Sequence, residues 1–352
     1  MNKEPKITWE KGSAYDLFVS LQIIHRPDEF GLRPSWAAGV RSRLPIPLRD
    51  VLELSQKFLP VPLSWIHTLP NPKDAAAAIA ALEGLPPKDR LPALTFGVKQ
   101  NKKVHNFREF LTALEGKQRL TANIEAEIKA YYSNSNRITK EFMRALFEAW
   151  STPGEFGEIF LEALKAYVNN FYREEEARII PAQATALKEA QALSSEKDLL
   201  TLLEELSSGV RMDWVTDVST LVLAPSFWGA PFVFFDSMDS ETGIILFGAR
   251  PKGMALVPGD LVPEELLNAL KALADPTRLR ILRYLLEGPR SPSELAKILR
   301  LRPPTVVHHL HNLRLAGLVR VTVSPKADRR YAVRMDGVDT TTRILREFLS
   351  GD

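Results

Sequence analysis

The sequence contains no cysteine among its 352 residues. Disulfide bonds and thiolate metal sites are therefore excluded, and this absence is typical of a protein from a reducing compartment. No apolar run reaches the length of about 18 residues that a membrane-spanning helix needs, so we expect no membrane partner. The polar start MNKEPKITWEKG does not have the pattern of a signal peptide. The sequence therefore predicts a cytoplasmic protein.

The sequence also lacks the short motifs that mark many enzymes, namely HExxH, a P-loop, GxGxxG and GxSxG. His25, His67 and His105 stand alone in the sequence, as surface or helix-end histidines do. Acidic residues adjoin one another in charged helical stretches such as 174–176, which is the pattern of a solvated face. We therefore expect no catalytic residue, no metal site, no cofactor and no enzymatic activity.

Charge is present in both signs but is distributed unevenly. The whole chain has 46 Lys and Arg against 43 Asp and Glu, a formal net charge of +3. Residues 261–352 hold 16 of these cations and 10 of these anions, which is +6 and leaves −3 for the rest. A local basic excess is what attraction to nucleic acid phosphates requires. The C-terminal quarter is therefore the part in which we look for nucleic acid contacts.

Residues 273–331 have the pattern of three short helices followed by two strands. Asp275 and Ser291 are predicted N-caps, each followed by proline at the first helical position. The third helix begins at Pro303 or Pro304 and turns Val306, Leu310 and Leu313 to the core. Residues 318–324 and 329–335 then alternate as strands around a basic turn, which is too short for anything but a hairpin.

This order of elements resembles the ArsR-type family of transcription regulators over residues 261–334. The resemblance lies in ALADPTRLRIL, SPSELAKIL and PTVVHHLHNLRLAGLVRV, which occur in order and at matching spacing. It implies a dimer, a recognition helix in the DNA major groove and a wing on the adjacent minor groove. Two departures are Val307, where the family often has a small polar residue, and a cysteine-free helix before the recognition helix. Metal sensing through cysteines is therefore not implied.

The third helix and the wing supply the predicted DNA contacts. These residues are Arg302, Thr305, His308, His309, His311, Asn312, Lys326, Arg329 and Arg330. An imidazole can donate a hydrogen bond to a base edge or a phosphate, which is the interpretation for His308 and His311. For His309 an alternative is open, in which the ring packs on the preceding helix.

The remainder of the chain predicts an α+β fold in which a mostly helical N-terminal domain with a small antiparallel sheet precedes the winged helix-turn-helix. Helical patterns dominate up to residue 206, and Pro181 predicts a break or kink in the longest of them. Strand patterns follow at residues 215–224, 231–236 and 243–249. We place the domains at residues 1–250 and 262–352, joined by a linker at 251–261.

Aromatic residues near the predicted strands indicate either an ordinary core or a pocket for an apolar small molecule. The candidate pocket residues are Trp150, Trp214, Phe227, Trp228 and Phe234.

The sequence as a whole predicts a transcription regulator that binds a palindromic operator in double-stranded DNA as a homodimer. A small-molecule effector in the N-terminal domain is a further hypothesis. Two alternatives remain at this stage. One is an architectural or partner-binding protein whose N-terminal domain only oligomerises, and the other is an enzyme fused to a DNA-binding domain.

Overall fold

The computed structural model describes residues 4–99, 101–132, 138–251, 254–257, 262–324 and 327–350. Helices make up most of the first part of the chain: α1 Ser13–His25, α2 Pro27–Phe30, α3 Pro34–Arg41, α4 Ile46–Phe58, α5 Leu63–His67, α6 Ala75–Glu83, α7 Pro87–Phe96, α8 Lys102–Thr112, α9 Ala122–Tyr131, α10 Lys140–Ser151, α11 Pro153–Tyr167, α12 Arg173–Leu193 and α13 Leu199–Leu206. The strands that belong with them are β1 Lys6–Trp9, β2 Val210–Met212, β3 Thr220–Ser226, β4 Phe234–Ser237 and β5 Thr242–Gly248.

The last part of the chain contains the three helices and two strands that the sequence predicted, between two further helices. Its elements are α14 Glu264–Leu273, α15 Pro276–Leu286, α16 Pro292–Leu299, α17 Pro303–Leu315, β6 Val319–Ser324, β7 Ala327–Val333 and α18 Met335–Ser350. The α+β class and the C-terminal winged helix are thereby confirmed. The domain boundaries remain a prediction, since contacts run across them.

The long helix at Pro181 does not break as predicted. Helix α12 continues through this residue, and the irregular step lies upstream, where Val168–Tyr172 forms a π-helical turn between α11 and α12. Proline removes one backbone donor from a helix, but packing along the rest of the helix can outweigh this loss. Buried residues on both sides of Pro181, including Ile179, Ala182 and Gln183, provide that packing.

The first sheet has the strand order β1-β3-β5-β4. Strands β1, β3 and β5 are mutually parallel, and β4 alone pairs antiparallel, with β5. The prediction of three antiparallel strands is therefore wrong. Strands β3 and β5 are continuous apolar runs whose interior residues are buried on both faces, which is the character of parallel strands between two layers.

Each face of this sheet belongs to a different hydrophobic core. Val222, Ala224, Ile244 and Leu246 join the large core formed with the helices that surround α1 and α11. On the opposite face Leu221, Leu223, Ile245 and Phe247 join a second core with α12, α13 and Val321 of β6. A third core fills the C-terminal module between α15, α16 and α17. The second core therefore connects the first sheet to the wing.

The second sheet contains a strand that the sequence analysis missed. Its order is β2-β6-β7, so β2 extends the wing hairpin by pairing parallel to β6. The pairing sets Val210 opposite Val321, Arg211 opposite Thr322 and Met212 opposite Val323. A segment from the predicted N-terminal domain is thus built into the sheet of the C-terminal module.

The predicted linker contains an anchored segment. Leu256 and Val257 are buried in the large core, and the Arg178 guanidinium donates to the carbonyl oxygens of Ala255 and Leu256 at 3.3 and 3.0 Å. Residues 252–253 and 258–261 lie outside the described part. The described stretch of this linker is therefore fixed to the N-terminal core. Within the described ranges, no helix is both long and apolar enough to cross a membrane.

Candidate nucleic-acid interface

The helix-turn-helix is positioned by the caps that the sequence predicted. The Asp275 carboxylate accepts from the backbone N–H of Arg278 at 2.9 Å and starts α15. Ser291 and Glu294 form a reciprocal capping box at the start of α16. This arrangement satisfies backbone donors that have no partner inside the helix. Arg300 ends α16 in the left-handed conformation, with φ of 58°, and lets the chain turn into α17.

Helix α17 has one buried and one exposed face. Val306, Leu310 and Leu313 are each 0% exposed and pack in the core of the module. Thr305 and His308 are exposed on another side, and Asn312 lies beside them. The Asn312 Nδ2 and His308 Nε2 atoms are 3.2 Å apart, which fixes the imidazole along the helix. An exposed polar face on a helix held from behind can present its side chains to the base edges of a major groove.

Two neighbours extend this exposed face. Arg302 stands just before the first helical residue, and its side chain is exposed. Val307, which departs from the family pattern, is 49% exposed. An exposed valine at this position can make an apolar contact with a thymine methyl group, but it offers no hydrogen bond.

The structure agrees in part with the alternative interpretation of His309, in which the ring packs on a helix instead of contacting DNA. Its side chain is only 14% exposed, and its Nδ1 atom is 4.0 Å from a carboxylate oxygen of Asp275. That distance is too long for a hydrogen bond. Burial lowers the pKa of His309 and the Asp275 charge partly opposes this effect. The ring therefore lies near the start of α15.

His311 has an aromatic partner in the N-terminal part of the chain, and its predicted DNA contact remains a prediction. Its ring stacks on Phe232 of the loop before β4, with centroids 5.8 Å apart and planes 19° from parallel. Burial lowers the pKa of His311, which the neighbouring Glu29 opposes. The contact with Phe232 turns the His311 ring toward the N-terminal part of the chain. The ring therefore contributes to the contact between the two parts of the chain.

The wing carries exposed cations on β7. Arg329 and Arg330 are both exposed, as predicted for phosphate contacts. Arg330 is held from one side, because its guanidinium donates to the Pro289 carbonyl oxygen at 2.9 Å and lies 3.3 Å from Glu294. The third predicted wing residue, Lys326, lies outside the described residues.

Arg314 is an interface residue that the sequence analysis did not single out. It lies near the end of α17 and is only 6% exposed. Its guanidinium donates to the carbonyl oxygens of Ser207 at 2.8 Å, Ser208 at 3.0 Å and Pro231 at 3.0 Å. Burial lowers its pKa to about 10, so the group stays charged at neutral pH. The acceptors of this arginine are carbonyl groups that lie far from it in the sequence. Such contacts leave no periodic pattern, so the sequence does not reveal the role of Arg314.

The five predicted ligand residues lie in two different cores. Trp150, Phe227 and Trp228 are at most 1% exposed in the large core, where Phe234 also packs, whereas Trp214 belongs to the second core. The loop after β3 is fixed because the buried Asp16 carboxylate accepts from the Ser226 hydroxyl and from the backbone N–H groups of Phe227 and Trp228. Trp150 borders a cleft of about 420 Å³ between α7, α8 and the start of α11.

Within the described ranges, no group of three or more His, Asp and Glu side chains is arranged so that it could hold a metal ion.

Comparison with known proteins gives matches to the C-terminal module. The sequence pattern described as bacterial regulatory protein, arsR family, matches residues 275–321, which cover α15, α16, α17 and the start of β6. Among solved structures, the chain is similar to the crystal structure of an ArsR family transcriptional regulator. The two are 31% identical over 24% of this chain and 93% of that protein, with a TM-score of 0.22. No curated protein matches the chain. The pattern match therefore identifies residues 275–321 as an ArsR-type helix-turn-helix.

Proposed function

We propose that the protein is a non-enzymatic transcription regulator that binds a palindromic operator as a homodimer. The observation that carries this proposal is the exposed polar face of α17, with Thr305 and His308 directed away from a buried row of valine and leucine. The back of the helix is fixed by the core and by Arg314. A rigid helix with one polar face free is the geometry that direct readout of base edges requires.

The proposed dimer uses helices α14 and α18. These helices contact one another and leave a set of apolar side chains exposed. The side chains are Leu267 at 39%, Leu270 at 40%, Phe348 at 42% and Leu349 at 74% exposure. Burial of each such group in a partner copy would remove apolar surface from water, which favours association. A two-fold dimer would then read two half-sites about 10 base pairs apart, or a multiple of that.

The proposed control of DNA binding works through the contacts between the two parts of the chain. An effector changes DNA affinity only if it binds the free and DNA-bound forms unequally. The β2–β6 pairing and the Arg314 hydrogen bonds supply a direct connection, because both join residues 207–212 to the wing and to α17. Typical coupling of this kind is about 1–3 kcal/mol.

A second cleft is placed to participate in such control. Its volume is about 570 Å³, and it lies between α2 and α3 on one side and α14 on the other. Its walls include Asp28, Leu32, Leu267 and Lys271, so both parts of the chain contribute. A small molecule in this cleft would contact a helix of the proposed dimer interface.

The test of the proposed function is selection of duplexes from a random DNA pool by the full chain, followed by footprinting. The proposal predicts a two-fold symmetric site, protected at half-sites about 10 base pairs apart, and a protein dimer in solution. Recovery of unrelated sequences with equal affinities would favour an architectural role instead. A monomer on one asymmetric site would contradict the proposed symmetry.

A purely structural N-terminal domain is the second candidate. The observation in its favour is the burial of Trp150, Phe227 and Trp228, which are at most 1% exposed and pack in the large core. Thermal unfolding of the full chain with a metabolite library separates the two candidates. A ligand that raises the unfolding temperature and changes operator affinity supports control, and a library without any such compound supports the structural role.

A further inference from the structure

Residues 207–209 form a turn that is fastened to the DNA-binding module. Arg314 donates to the Ser207 and Ser208 carbonyl oxygens, and Arg334 donates to Ser208 as well, at 2.7 Å. The Val321 amide donates to the Gly209 carbonyl oxygen at 3.0 Å. Gly209 has φ of +92°, and an added Cβ would lie 2.7 Å from Cδ of Arg334. The turn therefore brings β2 into close backbone contact with the wing.

The register of the wing sheet then fixes the direction of the β2 side chains. Arg211 is the partner of Thr322 in β6, and Thr322 is the partner of Arg330 in β7. Directly paired residues in adjacent strands point to the same face of a sheet. Val210 and Met212 point to the opposite face and are buried, at 6% and 1% exposure. Arg211, Thr322 and Arg330 thus form one row across the outer face of the wing.

The charges in this part of the wing differ in their partners. Arg320, two residues before Thr322 on the same face, lies 3.3 Å from Glu204, and Arg330 lies 3.3 Å from Glu294. Arg211 is exposed, and among the residues that the structure describes it has no acidic partner within 4.0 Å. An exposed guanidinium without an anionic partner can bind a phosphate without first breaking an ion pair.

We propose that Arg211 is a DNA phosphate contact that the N-terminal part of the chain supplies to the wing. Thr322, to which it pairs, is three residues from the wing turn, or roughly 10 Å along a strand. The Arg211 side chain thus stands in the same row as Arg330, which is itself a predicted phosphate contact. The inference rests on the proposed function, and it adds that DNA contact does not end at the limits of the ArsR-type module.

The experiment measures binding of the full chain to its selected operator at several salt concentrations. Arg211→Ala is expected to reduce the slope of log affinity against log salt by about one unit, with an affinity loss of roughly five-fold near 0.15 M salt. The loss should be equal on operator and on unrelated DNA, since phosphates carry no sequence. Arg119→Ala is the matched control, because it removes an exposed arginine from the helical part of the chain.

The possible outcomes distinguish failure of this inference from failure of the proposed function. Arg211→Lys should restore most of the slope, because it returns the charge, while the thermal unfolding of all three variants should match that of the unaltered chain. An unaltered chain that binds no duplex overturns the proposed function itself. Binding by the unaltered chain with the same slope after Arg211→Ala overturns this inference alone. An equal effect of Arg119→Ala would overturn it too, because net charge would then explain the loss.

Discussion

At the scale of single residues, several polar groups are fixed by burial at positions between helices. His25 ends α1, and its Nδ1 atom lies 2.8 Å from the Leu21 carbonyl oxygen. Burial lowers its pKa from 6.5 to about 4, which the hydrogen bond to Leu21 partly opposes. Below pH 6.5 the unfolded chain takes up a proton that the folded chain refuses. The folded state therefore loses stability as the pH falls from about 6.5 to about 4.

The first prediction follows from this shift. Between pH 7 and pH 5 the free energy of unfolding should fall by about 2 kcal/mol more in the unaltered chain than in His25→Gln. Urea unfolding at both pH values measures the difference. His309 and His311, whose pKa values are also lowered, are present in both proteins and cancel. Equal pH dependence of the two proteins would show that His25 is protonated without cost.

At the scale of elements, the short strand β2 is the connection between the two parts of the chain. It has only three residues, yet it extends the wing sheet and adds Val210 and Met212 to the second core. Gly209 is essential to its approach, since a side chain there would collide with Arg334 and approach Cβ of Arg320 to 3.2 Å. The positive φ of +92° adds a second cost for any residue with a Cβ.

The second prediction tests this approach. Gly209→Ala should speed hydrogen exchange at the Val321 amide, which donates to the Gly209 carbonyl oxygen. Gly116→Ala is the matched control, because Gly116 also has a positive φ, +76°, but an added Cβ would meet nothing within 4 Å. Only the first variant should expose the Val321 amide. Unchanged exchange in Gly209→Ala would mean that β2 pairs with the wing without this close contact.

The sequence predicts elements well where their signals are local. The caps at Asp275 and Ser291 and the apolar rows of α17 specify the C-terminal module within a few residues. Prediction from the sequence fails where two paired strands are far apart along the chain. Strand β2 is too short to alternate visibly, and its partner β6 lies about 110 residues further on. The parallel pairing of β3 and β5 is likewise decided by burial on both faces.

The residues of the candidate site likewise fall into two groups, those that local sequence predicts and those that distant contacts position. Thr305 and His308 are on the predicted exposed face because helical periodicity alone decides it. The position of His311 depends on Phe232, which comes from a distant loop. The role of Arg314 depends on carbonyl groups of residues 207, 208 and 231. Such contacts have no periodic or local sequence signature.

At the scale of the whole molecule, the DNA-binding module is not independent of the rest of the chain. The third prediction is that residues 262–352 alone are less stable than the same module within the full chain. Loss of β2 uncovers Val321, which is 9% exposed, and leaves the buried Arg314 without its three acceptors. Each change costs on the order of 1–3 kcal/mol. Hydrogen exchange of α17 and β6 amides compares the fragment with the full chain, and equal protection would contradict this interdependence.

The central claim is that α17 reads DNA sequence through its exposed face, and His308→Ala tests it most directly. The variant is measured against the selected operator and against unrelated DNA, with His105→Ala, another exposed histidine, as control. The account predicts that His308→Ala weakens operator binding by about 1–3 kcal/mol. Binding to unrelated DNA and the unfolding temperature should stay unchanged. Operator affinity and footprint equal to those of the unaltered chain would contradict the claim.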